Sequence, residues 1–599
     1  GSMTMRDFWQ ALTRKDGGLT AVLVLAALHF GFLMLFYEPA ISTPDANGYM
    51  AQARLIAREG RTSIATESPA QFVASHWFPA RPDLYYGQYP PGLPALLAVV
   101  FRALGPAATL WVGPLMASLT LVALFLVCRA WVGAGWGLLA AAVMASNPYA
   151  NQHALGADAH TAVAFFLMWG LVFLVRWERG GAALWAGLAG FCLGMIPTIR
   201  YPEALFPPAF AAFVALTPAS RVRRAWALAA GLAGAAIPIT ALAIRNQAAF
   251  GAFWKTGYSL SGEQTAFRLV DALRHVVPYI VLLLGIGVAF VFVLGTIGIY
   301  VLCRRPETRR HGLFLASLVV PITLVYMAYY FSPSMRFLLP TFFLYAIAAV
   351  WVLHLDAQVR PVRARKAAAW LLGLMTVWGL PQTLFALRHL KQDNATLAAI
   401  TASVAQHVEP GSILIAAGGI QQQLDFIGAW RLAAADAIAP DRHPGPPGMP
   451  RGESRTNDPQ RFESFRRDLA TWAGSDRKIY WLASQDQIDA FRTQHGNEQL
   501  VEVAQVRLPT GGRGPGPFGG PPDGPPDGNN QPRPPALVRL FFGPGPGGPP
   551  PGGPRFGPPG GPGGPPGGGA RPRTPMPEMF FPPSDGTVWI LQWRPGKPA

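Results

Sequence analysis

Residues 19–37 read LTAVLVLAALHFGFLMLFY, an apolar run without a single acidic or basic charge. A helix needs about 20 such residues to cross roughly 30 Å of hydrocarbon, so this run is long enough to span a bilayer. It is too long for a signal-peptide core and has no convincing small-x-small cleavage site, so it is expected to stay as an anchor. Similar runs recur at residues 107–128, 131–147, 160–176, 183–198, 203–218, 226–244, 277–302, 313–331, 337–355 and 367–387. Together they make about 11 transmembrane helices on the length criterion. The fold class expected is therefore a polytopic α-helical membrane protein. One further run, residues 91–104, is shorter and preceded or interrupted by Pro90, Pro91 and Pro94, so it reads either as a span or as a half-inserted helix.

Charge placement decides between these. If residues 91–104 return to the side they came from, one face of the membrane receives Arg6/Arg14/Lys15, Arg129, Arg176/Arg179, Arg221/Arg223/Arg224, Arg304/Arg305/Arg309/Arg310 and Arg360/Arg363/Arg365/Lys366. Basic clusters mark the cytoplasmic face, so the N-terminus is expected inside and the C-terminus outside, with the loop from 38 to 106 also outside. The setting implied is a bacterial cytoplasmic (inner) membrane. Composition agrees: 51% of the chain is hydrophobic and only 14% charged, too few charges for an ordinary soluble surface. The net charge of +17 lies in these short loops, which argues against nucleic acid as a partner. Gly1 and Ser2 before Met3 resemble a tag-cleavage scar, and residues 1–18 are read as a cytoplasmic N-terminus. Cys128, Cys192 and Cys303 lie far apart in or beside apolar runs, which suits neither a disulfide framework nor a zinc site.

The domain divisions expected are a transmembrane domain at 19–390 and an extracytoplasmic α/β domain at 391–599. In the second, 395–407, 460–473 and 485–494 read as helices, and 412–417, 478–483, 500–508, 536–542 and 587–593 as strands. Two Pro/Gly-rich insertions, at 509–535 and 543–583, lack the apolar residues to build a core and read as loops inserted in a sheet. Their glycines do not recur at every third position, which excludes a collagen helix.

Candidate chemistry gathers in the outer loops. The first begins Thr43-Pro44-Asp45-Ala46-Asn47-Gly48-Tyr49 and continues as an amphipathic stretch with Tyr49, Ala53 and Ile56 on one face, ending at Gly60. Asp45 follows a proline and so can cap this helix; held at headgroup depth it can equally act as a general base toward an incoming hydroxyl. Asp158, in Ala157-Asp158-Ala159-His160-Thr161, has the same two readings, with His160 either a packing residue or a ligand. Arg200-Tyr201-Pro202-Glu203 offers either a local ion pair or a ligand-binding cation. Lys255 and Arg336, at the ends of apolar runs, can snorkel to lipid headgroups or hold a phosphate, Arg as a fork and Lys as a point charge.

The order of these motifs resembles the bacterial GT-C glycosyltransferases, including the aminoarabinose and protein mannosyl transferase relatives, over about residues 19–390. The resemblance rests on an acid after the first span, an amphipathic helix ending in Gly, and Gln88-Tyr89-Pro90-Pro91-Gly92-Leu93-Pro94. It continues through Asn147-Pro148-Tyr149, Arg200-Tyr201-Pro202-Glu203, Phe250-Gly251-Ala252-Phe253-Trp254-Lys255-Thr256-Gly257-Tyr258 and Ser334-Met335-Arg336-Phe337-Leu338-Leu339-Pro340. Where the family commonly carries two acids near the first span, this chain has Ala46 and Asn47 after Asp45.

The resemblance implies an inverting enzyme that moves a sugar from a polyprenyl-phosphate-sugar donor lipid to a lipid, glycan or protein acceptor. In it Asp45 and Asp158 would be catalytic, Lys255, Arg336 and Arg200 would bind the donor phosphate, and Tyr49, His76, Tyr89, His160, Glu203 and Tyr258 would line the substrate pocket. No cofactor motif is visible; a divalent metal ion, if used, would draw on Asp45, Asp158 and His160. A transporter or flippase is the rival class, and it expects inverted repeats and mid-helix charges, neither of which is evident. A scaffold role for the Pro/Gly-rich part would leave the loop motifs unexplained.

Overall fold

A computed structural model describes residues 17–41, 43–262, 266–329, 334–416, 419–434, 459–495, 498–508 and 587–594. Among them, eight helices are long and apolar enough to cross a membrane, and five shorter apolar helices accompany them. The chain is a multi-pass helical membrane protein with a C-terminal sheet domain.

The first apolar run forms α1 (Gly17–Met34). The outer loop then folds rather than wanders: α2 (Pro44–Glu59) is followed by a three-stranded antiparallel sheet, order β1-β3-β2, from Ser63–Ala65, Trp77–Arg81 and Leu84–Gly87. Helix α2 starts where Thr43 Oγ1 accepts from the Ala46 amide at 3.2 Å, with Pro44 in the first turn, and ends at left-handed Gly60. Thr43 is thus the cap, which corrects the capping role allowed to Asp45.

The run at 91–104 is helical as α3 (Gly92–Thr109), but Gly105 breaks it with φ 85° just before Pro106. Its first residue must be glycine, because a Cβ there would sit 2.0 Å from Thr198 Oγ1. The membrane body continues through α4 (Val112–Trp131), α5 (Ala134–Ala145), the short α6 (Pro148–Leu155), α7 (His160–Glu178), α8 (Ala183–Ile199), α9 (Phe206–Leu216) and α10 (Arg221–Phe250). A loop carrying the five-residue α11 (Gly257–Ser261) leads onward.

The expected single span at 277–302 is two pieces, α12 (Leu269–Leu282) and α13 (Phe290–Arg304), separated by a π turn at Leu283–Gly287. Pro278, Gly285 and Gly287 weaken the helix, and Ala289 takes a positive φ of 47°. The carbonyl freed at Gly287 accepts from Asn147 Nδ2 at 2.7 Å, so the break is satisfied inside the protein. His275 on α12 contacts the Met327 carbonyl at 2.9 Å. Both ends of α12 therefore meet the layer where α6 begins and α14 (Arg309–Met327) ends.

Helix α15 (Leu339–Val359) is enclosed along nearly its whole length. The expected helices at 367–387 and 395–407 are one continuous helix, α16 (Pro361–His407), which rises from the membrane body into the sheet domain. That domain holds β4 (Ile413–Ala416), α17 (Gly419–Ile427), β5 (Arg431–Ala434), α18 (Pro459–Ala473), β6 (Ile479–Ala483), α19 (Gln485–Gln494), β7 (Gln499–Arg507) and β8 (Thr587–Arg594). The sheet order is β5-β4-β6-β8-β7, parallel from β5 to β6 and antiparallel from β6 to β7. Strand β4 and α18 pack on a core of Phe462, Leu469, Trp481 and Trp593. Strand β5 and helix α17 are additions to the sequence reading. The strand expected at 536–542 and both Pro/Gly insertions lie outside the described residues.

Candidate active site

The first turn of α2 points Asp45 at a cluster drawn from three distant segments. Its Oδ2 meets Arg336 Nη1 at 2.6 Å. Its Oδ1 accepts from the Tyr89 hydroxyl at 2.7 Å and faces His76 Nε2 at 3.0 Å. Tyr89 stands between the small sheet and α3, and its ring lies flat on Tyr49 with centroids 4.6 Å apart. That stacking needs Gly48: a Cβ there would be 2.7 Å from the Tyr89 ring. Arg336 lies on a single 3₁₀ turn, Met335–Leu338, that leads into α15. Burial works against the Asp45 charge, but Arg336, His76 and Tyr89 outweigh it and hold the carboxyl well below the usual carboxylate range. Burial and the Asp45 charge together push the Tyr89 phenol well up, so it remains a donor to the carboxylate.

Beside this cluster lies a second one. Arg200 Nε contacts Glu203 Oε1 at 2.9 Å, Arg200 Nη2 donates to the Tyr326 hydroxyl at 3.0 Å, and that hydroxyl donates to Glu203 Oε1 at 2.8 Å. The local ion pair foreseen for Arg200 and Glu203 is present and buried, at 7% and 0% exposure. Both arginines lie over the Phe337 ring, with Arg200 Cζ 5.4 Å and Arg336 Cζ 5.2 Å from its centroid, and Tyr326 stacks on it at 4.6 Å. The buried Tyr49 phenol is in electrostatic reach of Arg200, Tyr258, Asp45 and Glu203, so these groups share one region. Tyr258 packs edge-on against Tyr201 at 5.1 Å. Phe337 and Tyr326 were not singled out from the sequence. Phe337 sat within a quoted motif; Tyr326 offered no local signal.

The other expected residues fall nearby. Asp158 Oδ1 accepts from the His160 amide at 3.0 Å at the start of α7, and Oδ2 contacts His153. Asp158 therefore does cap-like work, from a link strained by Ala157 at φ 55°. It also acts electrostatically on Arg336. His160 is buried edge-on to Phe337 at 5.6 Å. Lys255 does not contact Asp45: it is exposed beside Phe253 and Trp254 and lines a groove of about 410 Å³ with Arg81, Phe250, Thr256 and Ser259.

Asp45 and Asp158 each meet protein partners through both carboxylate oxygens. Both Asp45 oxygens are engaged by Arg336, Tyr89 and His76, and both Asp158 oxygens by His153 and the His160 amide. Among the described residues, no three His, Cys, Asp or Glu side chains converge as a metal site would require. The positive charge beside Asp45 is the Arg336 guanidinium.

The family model described as oligosaccharyl transferase STT3, N-terminal, matches residues 19–201, a stretch that carries Asp45, Tyr89, Asp158 and Arg200. ArnT from Cupriavidus metallidurans bound to undecaprenyl phosphate shares the fold with a TM-score of 0.55 at 14% identity, over 82% of this chain and 96% of that one. The chain has the fold of the GT-C glycosyltransferases. The apo state of the same ArnT gives 0.53 at 14% identity, with 82% and 96% covered. The apo oligosaccharyltransferase of Archaeoglobus fulgidus gives 0.48 at 11% identity, with 80% and 71% covered. No curated protein matches this chain in sequence.

Proposed function

We propose that this GT-C glycosyltransferase moves one sugar from a polyprenyl-phosphate donor to an acceptor hydroxyl, with inversion, at the outer face of a bacterial cytoplasmic membrane. The observation that supports the reading is the 2.6 Å contact between Asp45 and Arg336, a carboxylate able to take a proton beside a guanidinium able to bind phosphate. Asp45 takes the acceptor proton as the acceptor oxygen bonds to the sugar C1. The C1–O bond to phosphate breaks at the same time, and the phosphate leaves with the electron pair.

Arg336 is matched to both states. Before donor binding it neutralises Asp45. When the donor phosphate draws it away, the carboxylate loses its strongest partner while burial still opposes its charge, so its proton affinity rises as the acceptor hydroxyl arrives. The same guanidinium then stabilises the charge developing on the leaving phosphate. Arg200, tied to Glu203 and Tyr326, holds the Phe337 wall against which Arg336 rests. Asp158 adds negative potential near Arg336 and fixes the start of α7. Lys255 sits at the rim, where an anionic headgroup would pass. The likeness to an ArnT bound to undecaprenyl phosphate supports a lipid-phosphate donor.

Two measurements test the reading: mass spectrometry of copurifying lipids, and sugar transfer from a lipid extract of the source membranes to a hydroxyl acceptor. Transfer abolished in Asp45→Asn and in Arg336→Ala is the expected result. Undiminished transfer in either folded variant overturns the assignment.

A further inference from the structure

The helix bearing Asp45 is gripped from above by the sheet domain. Asn47, two residues after Asp45, donates from Nδ2 to Asp425 Oδ2 at 2.9 Å and to the Gln422 carbonyl at 3.1 Å. Arg54, two turns further on, contacts Asp425 Oδ1 at 3.2 Å. Ahead of α2, Gln423 Oε1 accepts from the Ile41 amide at 2.8 Å and its Nε2 donates to the Pro39 carbonyl at 3.2 Å. At the far end, Arg58 donates to the Gly428 carbonyl at 2.9 Å. All these partners lie on α17 or at its C-terminus, and one carboxylate, Asp425, joins both turns of α2.

The chemistry of this contact is unlike simple adhesion. Gln423 and Asn47, whose side chains bond across the contact, are buried to 1% and 0% exposure. An apolar pair of helices would bury the same surface with less desolvation cost and could slide. Directional bonds at fixed atoms instead set the register of α2, since a shift along either axis strands buried donors. The outer loop is tied down independently as well: Phe72 donates to the Leu432 carbonyl at 2.8 Å along the edge of β5, and Glu67 accepts from Arg431 at 2.8 Å.

We infer that α17 is a positioning element for the carboxylate of Asp45, acting chiefly through Asp425 on Asn47 and Arg54. The inference rests on Asp45 being the base and goes beyond that reading by giving the sheet domain a part in the transfer step. Asp425 touches no reacting atom. Its loss lets α2 shift, and a displacement of about 1 Å at a reacting group can lower the rate on the order of 10²-fold.

The test uses the full-length protein and the variants Asp425→Ala, Asp425→Asn, Asn47→Ala and the Asn47→Ala/Asp425→Ala pair. Hydrogen exchange is expected to rise in the peptide covering α2 of Asp425→Ala, with peptides of β4 and β6 unchanged. Turnover of the membrane-extract donor should fall about 10- to 10²-fold at unchanged donor KM, and Asp425→Asn should restore part of it, because its amide oxygen can still accept from Asn47 Nδ2 although the charge facing Arg54 is lost. The double variant should be no slower than the slower single variant, as residues acting through one contact are not additive. Exchange at α2 that stays at the wild-type level overturns the proposal without touching the assignment of Asp45. Raised exchange with wild-type turnover also overturns it, because α2 would then move without consequence. If Asp425→Ala does not fold, Asn47→Ala carries the same readouts.

Discussion

Asp45→Asn separates the chemistry of this site from its architecture. Thr43 supplies the cap of α2, so the substitution removes no capping bond. Asparagine keeps an oxygen for the Tyr89 hydroxyl, now 2.7 Å away, and nearly the same volume, so Tyr89 and Tyr49 have no reason to leave their stack. What disappears is the negative charge 2.6 Å from Arg336 and the capacity to hold a proton. The first loss leaves a half-buried guanidinium with Asp158 as its nearest compensation, a destabilisation of about 1–3 kcal/mol. The second removes a general base, which typically contributes about 10² to 10⁴ in rate. The variant should elute as a folded protein, melt a few degrees lower, keep copurifying polyprenyl phosphate, and turn over at about 1% of wild type or less. The assay is transfer from a membrane lipid extract, measured alongside thermal melting in the same detergent. A folded variant with more than about a tenth of wild-type turnover refutes the role given to Asp45.

Arg336→Ala should raise the proton affinity of the Asp45 carboxyl, since burial then acts on it without its main counterweight. Because the folded pKa is depressed, the stability from this ionisation is present above the ordinary carboxylate value and lost as pH falls through the lowered one. The stability gap between wild type and Arg336→Ala should therefore be widest near neutrality and close in acid, which melting curves across pH check; a gap independent of pH contradicts it. Gly48→Ala should cost about 1–3 kcal/mol from overpacking against Tyr89 and slow transfer by displacing the Tyr89 hydroxyl, and a wild-type melt with wild-type rate contradicts it. In a Cys303→Ser background, a cysteine at Arg305 should react with an impermeant thiol reagent only from the cytoplasmic side and one at Lys255 only from outside. The opposite pattern inverts the membrane orientation proposed here.

The fold was legible where one physical signal dominates. Apolar length found α8 at residues 183–198, seen as Ala183–Ile199, because a helix in lipid has nothing else to satisfy its backbone. Short apolar, β-branched and aromatic runs found β6 and β8, and a polar periodic run found α19 to the residue. The same signal failed at 277–302, where apolar composition continues through Gly285, Gly287 and Ala289 while the backbone bends. Composition reports what can lie in lipid, and it does not report that Asn147 stands ready to bond the opened carbonyl of Gly287. It failed again at α16, since the polar stretch after residue 387 reads as a boundary although the helix simply leaves the membrane and continues.

The candidate site divides along a related line. Asp45, Arg336, Arg200 and Glu203 stood out because charge beside apolar runs is costly enough to demand a reason. Which charge meets which is a property of packing, and sequence distance conceals it: Arg336 lies 291 residues from the carboxylate it pairs with, and Asp425 lies 378 residues from Asn47. Lys255 and Arg336 looked equivalent as cations at helix ends, yet the 3₁₀ turn before α15 carries one inward over Phe337 while the exposed Phe253-Trp254 tip holds the other at the rim. A residue's charge makes it a candidate for binding phosphate; the backbone that carries it decides whether its fork can also serve the base. On the proposed reading that decision falls to Arg336, with Asp45 2.6 Å away on a helix that the sheet domain holds through Asp425.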